Sequence, residues 1–436
     1  MKMEGKKIVI IGGKRSGMAL ARLVVALRGK AGISEQGTQE ALAKEFRDWA
    51  VHHHVALEFN GHTRGFVEDG DLIVLSPGVR IDTLPVQWAK NKGIPVLGEI
   101  EFAAQFCSKP IIAVTGSNGK TTVCTLIKEV LEHAGRKACL CGNIGHPFSE
   151  YVLDLDQKDY VVLEISSFQL ESVLDPSSTL RTHPDCDHRV KGFKPHIAVI
   201  LNFSQNHLDR HQDLQEYLGA KKRIFLNQDK DDFAVLNYGD PQLKALASCV
   251  KSQVVYFNVP SDSPESVNPN HLAVLAVGRI LGVSDGCCRE VFQRFKGVEH
   301  RLEKVRCLDG IDFINDSKAT TVEAAGWALK NLNQPVVLIC GGRDKNVDFS
   351  VLIGPIREKV KKIYAIGEAR AKIRRAFGTV SSFEECEGLE EAVNKARQSA
   401  SRGDCVLLSP MCASFDMFKD FEHRGRVFKE IVNRLK

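Results

Sequence analysis

The sequence predicts an α/β protein of three domains: a Rossmann-like amino-terminal domain, a central parallel-sheet domain built around a phosphate loop, and a Rossmann-like carboxy-terminal domain. Three observations predict it. The 436 residues are about three times the length of a typical domain. Short runs rich in Val and Ile recur, each ending in Gly, Ser, Asn or Thr and each followed by a helix-like pattern, as parallel strands alternating with helices do. With 43% hydrophobic and 26% charged residues, the composition is that of an ordinary globular protein.

The first run, Lys7 to Ile11, leads into Ile11-Gly12-Gly13-Lys14-Arg15-Ser16-Gly17. This follows the strand as a Rossmann turn does, but Lys14 replaces the middle glycine of Gly-x-Gly-x-x-Gly, which weakens a dinucleotide reading. Asp71 to Leu75 is a second clear strand, followed by Ser76-Pro77-Gly78. Ile111 to Thr115 then runs into Val114-Thr115-Gly116-Ser117-Asn118-Gly119-Lys120-Thr121-Thr122 and a helical segment, Val123 to His133. Strand, glycine-rich loop, lysine and helix together make a phosphate loop of the ATPase type. Backbone N–H groups and the helix dipole face phosphate oxygens, Lys120 neutralises charge, and the Thr121 hydroxyl reaches magnesium. Position 114 is Val rather than Gly, leaving the shorter form Gly116-x-x-Gly119-Lys120-Thr121.

Tyr160 to Ile165 ends in Glu164-Ile165-Ser166-Ser167-Phe168-Gln169, and a strand-end carboxylate suits Mg²⁺. Ile197 to Asn202 opens a third motif, Asn202-Phe203-Ser204-Gln205-Asn206-His207-Leu208-Asp209-Arg210, followed by Tyr217 and Ala220-Lys221-Lys222-Arg223. Between these strands, Asp175 to His196 carries three prolines and reads as a surface excursion; its His183, Cys186, His188 and His196 match no standard zinc spacing. A helix is expected over Leu272 to Phe295. Strands at Val336 to Cys340, Lys362 to Ile366 and Cys405 to Ser409 complete the pattern. Boundaries between Gly98 and Lys109 and near His300-Arg301 give domains 1–98, 99–301 and 302–436.

The net charge of +5 comes from 59 basic and 54 acidic residues that are interspersed, so no nucleic-acid partner is expected. The apolar run before Gly12 is too short for a signal peptide, and no stretch of about eighteen apolar residues marks a membrane span. A cytoplasmic protein is expected. The 13 cysteines are odd in number and include no Cys-x-x-Cys, so they read as reduced, mostly buried side chains.

With their order and spacing, these motifs resemble the Mur ligase family, the ATP-dependent amino-acid-adding enzymes of peptidoglycan synthesis, along nearly the whole chain. Asn315-Asp316-Ser317-Lys318-Ala319-Thr320, Gly341-Gly342-Arg343-Asp344-Lys345 and Ser409-Pro410-Met411-Cys412-Ala413-Ser414 through Phe421-Glu422-His423-Arg424-Gly425 resemble segments of its D-glutamate-adding members. The resemblance implies ATP-driven addition of D-glutamate to UDP-N-acetylmuramoyl-L-alanine by a monomer with two Mg²⁺ sites. It implies that Lys221 carries CO₂ as a carbamate, that Thr121, Glu164, His207 and Lys221 hold metal, and that Lys120, His207, Lys221 and Lys318 are catalytic. It assigns ATP to Gly116 through Thr122, Arg301 and Asp316, with hinge closure near residues 300 to 302. It assigns the other substrates to Arg15, Ser16, Gly78, Asn143, Thr320, Lys345, Ser414 and Phe421. Either Asn268 or Asn270 stands for the family's adenine-touching Asn, and Glu35-Gln36-Gly37 departs from its uracil-facing turn.

Overall fold

A computed structural model describes residues 2–175, 192–203, 213–260, 268–344 and 347–436. Its strands fall into three sheets, each from one contiguous stretch of chain. The first holds β1 (Lys7–Ile11), β2 (Lys30–Ser34), β3 (Ala56–Glu58), β4 (Leu72–Leu75) and β5 (Val96–Gly98) in the order β3-β2-β1-β4-β5. The second holds β6 (Ile111–Thr115), β7 (Ala138–Gly142), β8 (Tyr160–Glu164), β9 (Ile197–Ile200), β10 (Phe233–Asn237) and β11 (Gln253–Phe257) in the order β11-β10-β9-β6-β8-β7. Every pairing in these two sheets is parallel.

The third holds β12 (Glu303–Leu308), β13 (Ile311–Asn315), β14 (Val336–Gly341), β15 (Val360–Ile366), β16 (Ser382–Glu385) and β17 (Cys405–Leu408) in the order β12-β13-β17-β14-β15-β16. Only the β12–β13 edge pair is antiparallel. Helices cover both faces of a parallel sheet, so its inner strands are apolar on both sides; β6 and β14 are buried at every residue. Edge strands β3 and β12 lack such runs, with Glu58, Glu303, Lys304 and Arg306 among their residues.

Contacts divide the chain into two units, Met1–Phe295 and Lys296–Lys436. The first contains two sheets and the second contains one. In each sheet the order reverses direction at a central strand, where ligands settle beyond the carboxyl ends. The loops after β6, β8 and β9 therefore share one edge, and so do those after β13, β14 and β17.

The helix expected over Leu272 to Phe295 is two, Pro269–Ile280 and Asp285–Arg294. Gly282 takes a φ of 70°, and the Ser284 hydroxyl caps the second helix by accepting from Cys287 N–H. A left-handed Gly followed by a capping Ser stops one helix and starts another.

The base of the excursion after β8 is clamped. Glu101, fully buried, accepts from Leu174 N–H at 3.2 Å and from Phe193 N–H at 3.1 and 3.2 Å. Asn227 Nδ2 donates to both of the same residues' carbonyls, at 3.3 and 2.9 Å. Each cysteine among the described residues is a free thiol. Among those residues, no helix is long and apolar enough to cross a membrane.

Candidate active site

The loop after β6 turns through Gly116 and Gly119, at φ of 155° and 81°, into helix Lys120–His133. Positive φ strains any side chain with a Cβ, and at Gly119 a Cβ would also come 2.5 Å from Asn270 Oδ1. The Lys120 ammonium folds back over its own loop, donating to Gly116 O at 2.8 Å and Ser117 O at 3.1 Å. Asn202, just past β9, brackets the other side. Its carbonyl accepts Ser117 N–H, its Oδ1 accepts Asn118 N–H at 2.9 Å, and its Nδ2 donates to Asn118 O. Thr122 follows in the first helical turn.

Thr121 and Glu164 are each 1% exposed, and the Thr121 hydroxyl donates to Glu164 Oε2 at 2.7 Å. Asn143, after β7, donates from Nδ2 to Glu164 Oε1 at 2.9 Å and from its backbone N–H to Glu164 O. A hydroxyl touching a carboxylate beside a phosphate loop is a donor set that Mg²⁺ accepts, since that ion takes one or two protein oxygens and fills its octahedron with water and phosphate. His207 lies outside the described residues.

Lys221 projects from helix Leu214–Lys222, whose N-cap Asp213 accepts Glu216 N–H at 2.8 Å. Its side chain is fully buried, with Nζ 3.1 Å from Gly116 O and 4.4 Å from the centre of the Tyr217 ring. Burial, and then the charge of Lys120, hold the amine well below the usual lysine range. Both causes favour the neutral amine over the ammonium, the reverse of a lysine in water.

Asn268 caps helix Pro269–Ile280 by accepting Asn270 N–H at 3.0 Å. Asn270 is the one of the pair whose carboxamide lies against the phosphate loop. In the amino-terminal sheet, Arg15 and Ser16 open helix Arg15–Ala26. Gly78 lies in the turn after β4, where Ser76 Oγ donates to Gly12 O at 2.6 Å. Glu35 accepts Gly13 N–H at 2.6 Å and Gly37 N–H at 3.0 Å.

In the second unit, Asp316 follows β13 and is 6% exposed. It accepts the Ser409 hydroxyl at 2.8 Å and Leu302 N–H at 3.3 Å. Burial pushes its carboxyl up to about 7 against the pull of those donors and of Arg301. Lys318 N–H bonds His300 O, and Thr320 N–H bonds Lys318 O at 2.8 Å. The Lys318 ammonium lies 5.6 Å from the centre of the Phe421 ring. Ser414 is buried, and its carbonyl accepts Met417 and Phe418 N–H. Lys345 lies outside the described residues.

Arg424 was not singled out by the sequence, yet it ties these loops together. Fully buried, it donates to Ser317 Oγ at 3.0 Å, Ser317 O at 2.9 Å and Cys412 O at 3.2 Å. Ser317 Oγ in turn donates to Phe421 O at 2.8 Å. The guanidinium thus joins the loop of Asp316, Lys318 and Thr320 to the loop of Ser414 and the start of helix Phe421–Arg434. Next to Arg424 in that helix, Gly425 makes room for His300, whose Nδ1 would lie 2.2 Å from a Cβ there.

A phosphate loop, a strand-end carboxylate and a buried amine on one parallel sheet, carried with a further α/β unit, define a nucleoside-triphosphate-dependent enzyme. Residues 114–274 match the Mur ligase middle domain, and residues 300–412 match the Mur ligase glutamate ligase domain. A UDP-N-acetylmuramoylalanine--D-glutamate ligase of Thermoanaerobacter sp. (strain X514) is 38% identical over 471 aligned positions that cover 100% of both chains. One of the same name from Koribacter versatilis is also 38% identical, covering 100% of this chain and 99% of its own. The chain belongs to the Mur ligase family. Among solved structures, the UDP-N-acetylmuramate-alanine ligase MurC of Thermotoga maritima shares the fold at a TM-score of 0.57 and 20% identity, over 99% of this chain and 100% of that one. MurF of Acinetobacter baumannii does so at 0.57 and 16%, over 99% and 92%.

Proposed function

We propose that this chain is an ATP- and Mg²⁺-dependent ligase that joins D-glutamate to UDP-N-acetylmuramoyl-L-alanine in the cytoplasm, acting as a monomer. The observation that carries this is the end-to-end likeness, at 38% identity, to ligases of that name.

Carboxylate and amine do not condense in water, because hydroxide is a poor leaving group. The L-alanyl carboxylate attacks the γ-phosphorus of ATP and expels ADP. The D-glutamate amine then attacks the acyl phosphate, and inorganic phosphate leaves the tetrahedral intermediate. Catalysis rests on positioning and on neutralising charge. Lys120 and Lys318 are assigned to phosphate charge, and the Gly116–Thr122 loop, Arg301 and Asp316 to ATP. Thr121, Glu164 and His207 are assigned to metal, with Lys221 as its carbamate; bound Mg²⁺ would offset the charge on the phosphates. Thr320, Lys345, Ser414 and Phe421 are assigned to D-glutamate, and Arg15, Ser16, Gly78 and Asn143 to the nucleotide sugar.

The test is phosphate release from ATP with Mg²⁺, UDP-N-acetylmuramoyl-L-alanine and, in turn, D-glutamate, L-glutamate, L-lysine or meso-diaminopimelate. Release only with D-glutamate is expected. Release with another amino acid moves the chain to a sister activity, and none with any, in the presence of bicarbonate, defeats the ligase reading.

A further inference from the structure

One residue beside the phosphate loop holds three of its peptide planes, and it is given no role above. Asn202 follows β9, whose last register partner on β6 is Thr115, opposite Ile200. The pairing runs on past both strands. Leu201 N–H bonds Thr115 O at 3.0 Å, and Ser117 N–H bonds Asn202 O at 3.1 Å. The Asn202 side chain then takes both backbone groups of one residue: its Oδ1 accepts Asn118 N–H at 2.9 Å, and its Nδ2 donates to Asn118 O at 3.1 Å. An N–H can meet only the oxygen of a carboxamide and a carbonyl only its nitrogen, so these partners fix which way the amide points.

A trans peptide is planar, and its C=O and N–H point in opposite directions. Each group that Asn202 holds therefore aims the other end of the same peptide away from β9. Holding Ser117 N–H aims Gly116 O, which accepts the Lys120 ammonium at 2.8 Å and Lys221 Nζ at 3.1 Å. Holding Asn118 N–H aims Ser117 O, which accepts the same Lys120 ammonium at 3.1 Å. Holding Asn118 O turns Gly119 N–H outward at the start of helix Lys120–His133, where loop N–H groups meet a phosphate. Gly116 and Gly119, both of positive φ, are the swivels at either end. Three fixed planes between them leave the loop one shape.

Asn202 is itself held on both flanks. Leu201 O accepts Asn237 Nδ2, from the end of β10, at 3.0 Å. Asp240 Oδ2 accepts Phe203 N–H at 2.8 Å. A residue locked in this way presents its amide to the loop already oriented.

We propose that Asn202 is a positioning residue for ATP: through the peptide planes from Gly116 to Gly119 it places the Lys120 ammonium and the Gly119 N–H for the β- and γ-phosphates. The inference rests on the reading that the phosphate loop binds ATP.

The test is calorimetric titration of the full chain with AMP and with ADP, each in the presence of Mg²⁺. AMP lacks the β-phosphate that the loop and its lysine reach. Asn202→Ala should cut the preference for ADP over AMP by about tenfold, the range of one or two hydrogen bonds lost, and leave the Kd for AMP within about threefold. Asn202→Leu, which fills the same space without hydrogen bonds, should do the same. An unchanged preference in either variant overturns the inference. So does an equal loss of AMP and ADP binding, which would make Asn202 a general support of the fold. A wild type that binds ADP no better than AMP defeats the reading of the phosphate loop itself; a wild type that prefers ADP, beside variants that prefer it equally, defeats only the role of Asn202.

Discussion

The loop after β1 and the loop after β6 each run from a buried parallel strand into a helix through glycines of positive φ, Gly12 at 91° in one, Gly116 and Gly119 at 155° and 81° in the other. Each also carries a lysine, Lys14 and Lys120. Their electrostatics are opposite. In the first loop Lys14 is exposed, and a carboxylate, Glu35, already takes the Gly13 N–H at 2.6 Å. In the second, the Lys120 ammonium lies over the loop carbonyls, and the buried Lys221 amine is 3.1 Å from Gly116 O. One backbone plan thus yields a loop whose anion-binding N–H is occupied by the protein's own acid and a loop that concentrates positive charge. The second suits a triphosphate, while a diphosphate approaching the first has Glu35 to avoid or displace.

The largest expected effect breaks the comparison at its lysines. Lys120→Ala should lower turnover by about 10²–10³-fold, as loss of one preorganised donor to a reacting phosphate does. Lys14→Ala, at an exposed position, should leave it within about twofold. Steady-state phosphate release under saturating substrates decides the matter, and comparable losses from both would mean that the first loop also serves ATP.

The glycines give the next effect. At Gly17 a Cβ would lie 2.0 Å from Gly12 O, a backbone atom, so Gly17→Ala must push helix Arg15–Ala26 off β1 at a cost of about 1–3 kcal/mol. At Gly119 the obstructing atom is the end of the Asn270 side chain, which can turn away, leaving the left-handed backbone's cost of about 1–2 kcal/mol. Thermal melts should therefore rank Gly17→Ala as at least as damaging, whereas only Gly119→Ala should raise the KM for ATP. A raised KM for ATP in Gly17→Ala alone would overturn the assignment of the two loops.

The two loops also differ in how far the sequence disclosed them. The phosphate loop was legible because strand, glycines, lysine and helix are contiguous, and each local preference points the same way. The first loop's character depends on Glu35, 22 positions from Gly13, and no spacing rule says whether an acid there faces a ribose or turns back onto the backbone. Arg424 was opaque for the same reason: its partner Ser317 is 107 residues away. The split after Ile280 was locally written in Gly282 and Ser284, but apolar periodicity on both sides masked it. Asn202 and Tyr217 stood inside quoted motifs without roles, since bracketing Asn118 and packing on Lys221 are facts of tertiary contact.

The smallest effect sharpens the contrast through Lys221. An ordinary lysine, with a pKa near 10.4, is neutral in only about one molecule in 2,500 at pH 7. Burial and the neighbouring Lys120 charge lower the Lys221 pKa, and both favour the neutral amine that CO₂ requires. Lys120 acts twice in the same direction, because its charge disfavours the ammonium and would favour the carbamate anion proposed to form from the neutral amine. With ¹³C-bicarbonate, the wild type should show a protein-bound carbamate resonance near pH 7 that Lys221→Arg lacks. In Lys120→Met the resonance should persist, since burial is the larger cause, but its build-up should move to higher pH. A wild type without the signal would refute the carbamate. A variant whose build-up moves to lower pH would show that Lys120 does not set the charge around this amine, and the contrast between the two loops would then lie in their hydrogen bonds alone.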